Sequence, residues 1–232
     1  YSDPLYAAMA VMLFALSGMM FAASANDFIL AFVALELITV SFYVLNSFQR
    51  NRLHSLEAGV KYLILGALAS AFMVYGIALI FGSANTTNFG ELLVKTQAGA
   101  AGPVLLLGLL LMLVGLGFKI AAFPVQIWVP DVYQGAPTPA VAFLAVGSKA
   151  AGFALLLRVL FSAVPAVTLD WTKLLMIISA LTILYGNLCA IPQRNLKRLL
   201  GYSSIAHAGY LLLGVAAMNS AGSSAILYYL SG

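Results

Sequence analysis

Charge is what this chain has least of. Only 8% of its 232 residues are Asp, Glu, Lys or Arg, against about 25% in soluble domains, which excludes an ordinary water-soluble fold. A single cysteine, Cys189, excludes an internal disulfide and a cysteine-built metal cluster; it reads as a small apolar helix residue. The two histidines, His54 and His207, stand far apart, so there is no paired-histidine metal motif. A Walker-type phosphate loop and a nucleophile elbow are also missing. Nothing in the sequence would hold a flavin, a haem or an iron–sulfur cluster. No cofactor or metal is therefore expected in this chain, and any redox chemistry would belong to partners. Basic residues are not clustered among aromatics, so no nucleic-acid partner is expected either.

What the chain has is apolar length. Hydrophobic residues make up 63% and the mean hydropathy is +1.03. Apolar segments fall at about residues 5–24, 28–48, 56–81, 103–125, 139–161, 174–191 and 199–218, with an eighth beginning near 225. A helix needs about 20 residues to cross a bilayer at about 1.5 Å per residue, so these read as membrane spans and the lipid bilayer as a partner. The connections at 25–27 and 49–55 are short and predict antiparallel neighbours. Residues 82–102, polar and rich in Gly and Ala, read as an extramembrane loop, and 162–170 as a further linker. The chain opens on Tyr1 without a leader pattern and stops at Gly232 inside a new apolar run, so it reads as an excerpt of a longer polytopic protein.

Counting sides alternately puts Arg50, Arg52, Arg194, Lys197 and Arg198 on one side, and Lys95 and Lys173 on the other. The positive-inside rule makes the first side cytoplasmic. Trp128 and Trp171 sit beside expected helix ends, as aromatic belt residues do; packing within a loop is the alternative for Trp128. Arg158, near a helix end, is expected to be an interface anchor.

The stretch from Gly115 to Pro139, GLGFKIAAFPVQIWVPDVYQGAPTP, breaks the apolar pattern. It carries Lys119 between Gly115, Gly117 and Pro124, then turns through Pro130, Asp131, Gly135 and Pro137. Irregular backbone at membrane depth is tolerated only where protein or a water-filled cavity shields it, so a broken transmembrane helix is expected here. Glu36 lies mid-segment in VALELITVSFYVL and Lys149 mid-segment in FLAVGSKAAGFALLL. A central charge costs about 2.5–3.5 kcal/mol even by the lower scales and marks ion or proton pathways. Lys61 can pair with Glu57 four residues earlier or snorkel to the interface. His207, in LLGYSSIAHAGYLLLGV, either extends the polar line or makes a helix contact. For Glu36 the alternative is a protonated carboxyl bonded to backbone; for Lys119 and Lys149 it is a structural ion pair. Burial disfavours a lysine's charge and a nearby carboxylate favours it, so a lysine alternately near and far from a carboxylate takes up and releases a proton. Proton or cation translocation is the default reading.

The run GFKIAAFPVQIWVPDVYQGAPTPAVAFLAVGSKAAGFALLLRVLF, with LELITVSFYVL, SLEAGVKYLILGALASAFMVYG and QRNLKRLLGYSSIAHAGYLLLGV, resembles the antiporter-like membrane subunits of respiratory complex I, NADH:quinone oxidoreductase. The PDVYQGAPTP wording resembles the N type, which includes the mitochondrial subunit 2 and its chloroplast counterpart. The resemblance implies an all-α polytopic antiporter-like bundle with inverted repeats and a broken transmembrane helix. Within a fold of about fourteen helices, this chain would be one transmembrane domain covering helices four to eleven. Residues 1–161 would form the first five-helix repeat and 172–232 part of the second. It also implies a Glu36–Lys119 pair, a central axis continued by Lys149, and Lys61 as the sixth-helix lysine. The implied role is that of a non-redox, proton-translocating subunit. It would work with other membrane-arm subunits and meet quinone and NADH only through them, in a bacterial inner membrane or, alternatively, an organelle membrane. Related possibilities are a multisubunit Na+/H+ antiporter, a membrane-bound hydrogenase, and a structural scaffold. Two departures stand out: Gln126 replaces a histidine often found there in the family, and the twelfth helix with its exit-side ionisable residue lies outside the sequence.

Overall fold

A computed structural model describes residues 4–99, 102–163 and 171–231. Among these residues all regular structure is helical apart from an isolated bridge between Asp27 and Asn88. The chain runs through α1 (Pro4–Ser24), α2 (Phe28–Asn46), α3 (Leu53–Ala84), α4 (Phe89–Gln97) and α5 (Pro103–Ile120). It continues through α6 (Val129–Gly135), α7 (Thr138–Phe143), α8 (Lys149–Arg158), α9 (Trp171–Ala190), α10 (Leu196–Ala216) and α11 (Ser220–Ser231). A 3₁₀ turn, Gln126–Trp128, precedes α6, and π-turns flank α8 at Leu144–Ser148 and Val159–Ala163. Seven runs are long and apolar enough to cross a membrane, with α7, α8 and their π-turns joined into one. They match the seven expected segments, and the chain is a multi-pass membrane protein. The fourth ends at Ile120 rather than 125. Residues 164–170, most of the expected linker, lie outside the described residues, as do Tyr1 and Gly232.

Short links do place α1 beside α2 and α2 beside α3. The turn between α1 and α2 is capped by Asp27, whose Oδ1 accepts from the Ile29 and Leu30 amides at 2.7 and 3.4 Å, satisfying donors a helix start leaves free. Its Oδ2 accepts from the Thr87 hydroxyl at 2.6 Å. That contact belongs to a segment expected to be a plain loop. Residues 82–102 instead contain α4, capped by Asn88 and locked to the turn by Phe89 N to Asn26 O (2.9 Å) and Phe28 N to Thr87 O (3.0 Å). The rings of Phe28 and Phe89 meet edge-on at 4.7 Å. Lys95 reaches back to the Ala84 carbonyl at 2.7 Å, a cation at a helix C-terminus where the dipole favours it. Arg158 anchors the same end through Nε to the Ala25 carbonyl at 2.9 Å, with a second bond to the Asn26 side chain.

At the other end both arginine-bearing connections reach the region of α6. Lys197 donates to Ala136 O at 3.4 Å and Arg198 to Asp131 at 2.5 Å. Gly135 lies so close to α3 that a Cβ there would collide with His54 O. The two basic loops therefore share a side, as the positive-inside count requires.

The bundle is drawn together where α3 crosses α5. A Cβ on Gly76 would lie 2.5 Å from Gly108 O, and one on Gly108 2.8 Å from Gly76 O. Helix backbones meet there directly, the small-residue packing by which membrane helices associate without a hydrophobic drive. Gly108→Leu should therefore force the helices apart. We expect a loss of about 1–3 kcal/mol, read as a lower thermal unfolding midpoint of the full-length protein in detergent; an unchanged midpoint would contradict this crossing.

Candidate functional site

Lys119 occupies the last turn of α5, where the helix stops. Ala121 turns left-handed at φ 64°, and the Ala122 amide closes onto Gly117 O at 2.9 Å. Exposed to hydrocarbon, the freed groups of such a break would each cost several kcal/mol. Two side chains take them up. The Trp128 indole N–H donates to Phe118 O at 3.1 Å, and the Thr182 hydroxyl of α9 accepts from the Phe123 amide at 3.0 Å. Trp128 is only 2% exposed, so it packs within the turn and is not a belt residue; Trp171 is buried too. The residues expected to accompany a break lie around this point. Gly115 packs on Met73 of α3, Gly117 lies beside Val125, and Pro124 is inside the turn. Pro130 stands in the first turn of α6, and Pro137 caps α7.

The Lys119 side chain is 5% exposed. Its amine donates to the Thr39 hydroxyl of α2, which itself donates to Leu35 O at 2.6 Å. Glu36, three residues before Thr39 and half-buried, accepts from the Ser70 hydroxyl of α3. The structure thus brings Glu36 and Lys119 to one region but not into a direct ion pair. Residues three apart on a helix are neighbours at about 5–6 Å between Cβ atoms, and here Thr39 occupies the nearer place. The C-terminal end of α5 adds its favourable dipole to the Lys119 ammonium.

Lys149 follows the π-turn of residues 144–148 and is 6% exposed. Its amine donates to both the carbonyl and the hydroxyl of Ser204 on α10, at 2.6 and 2.5 Å. The Tyr133 hydroxyl of α6 meets the same Ser204 hydroxyl at 2.9 Å. Gly152, one turn beyond Lys149, faces α5 so closely that a Cβ there would lie 3.5 Å from the Lys119 Cβ. One face of α8 therefore spans the two lysines. A cavity of about 500 Å³ opens onto Lys149, Ser204, Tyr133, Lys197, His207 and Tyr229. His207 lies on its exposed side, with Nδ1 bonded to the Tyr229 hydroxyl.

Lys61 stands apart. Its amine bridges Glu57 at 2.7 Å and Asp131 at 2.8 Å, and Arg198 holds the other oxygen of Asp131 at 2.5 Å. The i,i+4 pair with Glu57 is as the spacing predicts. Burial of Asp131, which lies outside the seven spans, raises its pKa. The hydrogen bonds from Lys61 and Arg198 outweigh that and hold the carboxyl below its usual range. Among the described residues no group of three His, Cys, Asp or Glu side chains is placed to hold a metal. Gln126 is 1% exposed, and its amide oxygen has no donor.

Sequence reasoning did not find Thr39, Ser70, Tyr133, Thr182 or Ser204. Hydroxyls are common in apolar helices, and only the packing of α2, α3, α6, α9 and α10 distinguishes these from Ser and Thr that bond their own helix alone. Asp131 was visible only as part of a turn.

The transmembrane family model of NADH:quinone oxidoreductase and Mrp antiporter subunits matches residues 25–231. The subunit N of NADH-quinone oxidoreductase from Trichlorobacter lovleyi is 50% identical over 222 residues, covering 95% of this chain and 46% of that protein. A chain of respiratory complex I from Thermus thermophilus, solved with bound aureothin, superposes with a TM-score of 0.81 at 44% identity, over 95% of this chain and 48% of that one. A chain of the Mrp complex from Dietzia sp. superposes with a TM-score of 0.84 at 24% identity, over 95% and 41%, and shares the antiporter-like fold. The chain spans about half the length of the relatives it matches.

The break at 121–125 is directly testable. Thr182→Val keeps the shape of the side chain and removes the acceptor for the Phe123 amide. A loss of about 1–3 kcal/mol is expected, measured by thermal unfolding of the full-length protein; no change would mean the amide has another partner.

Proposed function

The chain belongs to the NADH:quinone oxidoreductase/Mrp antiporter transmembrane family, and from that premise we propose that it is the proton-translocating part of a membrane-arm subunit of an NADH:quinone oxidoreductase. Its membrane would be the bacterial inner membrane, and its partners the other membrane-arm subunits, with NADH and quinone handled by them. The relatives named as subunit N at about half identity support this assignment.

One observation carries the chemistry: each buried lysine amine is bonded to a hydroxyl, Lys119 to Thr39 and Lys149 to Ser204. A carboxylate would pin an ammonium in its charged state. A hydroxyl accepts from the ammonium and donates to the neutral amine, so either protonation state keeps a hydrogen bond. Glu36, held by Ser70 beside this site, supplies a negative charge without closing a salt bridge. Thr39, the residue that the Lys119 amine meets, lies one turn beyond Glu36 on α2.

The proposed cycle uses only these groups. Lys119 holds a proton while Glu36 is charged and near. Electron transfer elsewhere in the complex changes the field or conformation around Glu36, and Lys119 then holds its proton less tightly. The proton passes toward Lys149 along the α8 face that touches both sites. The cavity at Lys149 gives it access to Ser204 and, at its exposed side, His207. Lys61, engaged by Glu57 and Asp131, acts on this line by its charge rather than as a carrier.

A second reading, a subunit of a multisubunit Na+/H+ antiporter, draws on the shared fold with the Mrp chain. Co-purification separates the two: quinone-reductase subunits favour the first, small antiporter subunits the second.

Lys119→Ala in the assembled complex tests the relay. Proton ejection or coupled turnover should fall while subunit content stays normal. Normal ejection from a normal complex would make Lys119 a structural charge. Ser204→Ala removes the hydroxyl and leaves the backbone carbonyl; it should slow proton ejection more than electron transfer measured with an uncoupler, and equal slowing would argue against a hydroxyl role at Lys149.

A further inference from the structure

Asp131 has no part in the cycle above, yet it is gripped from two directions. Oδ2 accepts from Lys61 of α3 at 2.8 Å, and Oδ1 accepts from Arg198 of α10 at 2.5 Å. The short helix that carries it, α6, also reaches both lysine sites. Toward Lys119, Trp128 just before α6 donates to Phe118 O and packs on the Phe118 ring at 5.2 Å and the Tyr62 ring at 4.9 Å. Tyr62 follows Lys61, and Phe118 precedes Lys119. Toward Lys149, Tyr133 shares a hydrogen bond with Ser204, the residue that holds the Lys149 amine. α3 in turn carries Ser70, which holds Glu36.

We propose that Asp131 is a positioning residue for proton transfer. By tying α6 to α3 and α10 at one carboxylate, it fixes the Lys119 site and the Lys149 site relative to each other. The proposal rests on the relay reading and names the group that keeps its two halves in register.

The chemistry of the cluster separates this role from that of a structural staple. Removing one partner of a buried pair is strongly destabilising when it strands the other charge. Here neither cation would be stranded. Lys61 keeps Glu57 at 2.7 Å, and Arg198 keeps the Gln134 side-chain oxygen at 3.2 Å. The cluster is also partly open to solvent, with Asp131 30% and Lys61 42% exposed, where single ion pairs contribute little to stability. Loss of the Asp131 charge therefore leaves the fold in place and releases the aim of α6. Tyr133 and Trp128 feel this first, because Tyr133 shares α6 with Asp131 and Trp128 directly precedes that helix.

The test is Asp131→Asn in the full complex, in membrane vesicles. It measures subunit content, NADH:quinone electron transfer with an uncoupler, and protons ejected per electron. We expect normal assembly, retained electron transfer and a lower proton yield, with Asp131→Glu recovering toward wild type. Tyr133→Phe should also lower the yield, and the double variant should be no worse than the poorer single one, since both act through α6. An unchanged yield in Asp131→Asn would overturn the proposal. So would losses that multiply as independent effects in the double variant. A complex that fails to assemble would overturn it as well, because it would show the carboxylate to be a staple. Lys119→Ala keeps the two readings apart. If it abolishes ejection while Asp131→Asn does not, the relay stands and the positioning role falls. If neither changes ejection, the relay itself falls.

Discussion

A backbone amide in hydrocarbon must find its partner within the protein, and the interruption after Ile120 depends on that constraint being met. The Trp128 indole and the Thr182 hydroxyl meet it from opposite sides, one from the chain just beyond the break and one from α9. Because the partners come from different elements, the break can persist only inside the assembled bundle. The same requirement fixes what stands nearby. α9 must approach residue 123, Trp128 must fold back over Phe118, and Lys119 is held at the terminus of α5 with its amine turned to α2.

The two lysines share a design in which the side chain is buried and hydroxyls stand where counter-ions would. Thr39 also bonds its own helix at Leu35 O, and Ser204 presents both a hydroxyl and a carbonyl to Lys149. These are interactions of modest net strength, and they do not discriminate strongly between a charged and a neutral amine. The firm charge pairs lie elsewhere, in the partly exposed cluster of Glu57, Lys61, Asp131 and Arg198. Charge pairs aim α6 at one end, and hydrogen bonds to neutral oxygens serve the buried amines.

Much of this was legible in the residues. Segment lengths located the spans because hydrocarbon thickness sets a minimum apolar run. The glycines and prolines around Lys119 located the interruption because they permit and enforce non-helical backbone. The intramembrane charges located Glu36, Lys119 and Lys149 because an isolated charge there is costly. What could not be read was relation across the bundle. Thr39 rather than Glu36 meets the Lys119 amine because the rotation of α2 about its axis is settled by packing with α1 and α3. α4 was hidden because Phe89 and Leu92 gain their burial only in the folded bundle, where α4 meets the turn at 25–28 and residues 159–163. Trp128 was ambiguous because its position fits a belt or a buried cap, and only its bond to the Phe118 carbonyl decides between them.

The π-turn at residues 144–148 has a geometric consequence for the helix that follows it. Each residue of an α-helix advances about 100° around the axis, and a π-turn accommodates one residue more than an α-turn. Everything beyond it is therefore out of phase with the run that begins at Thr138. Regular α-geometry there with every residue kept would turn α8 by about 100° about its axis and carry its lysine away from Ser204. Deleting one residue of the turn would instead leave that lysine facing as it does.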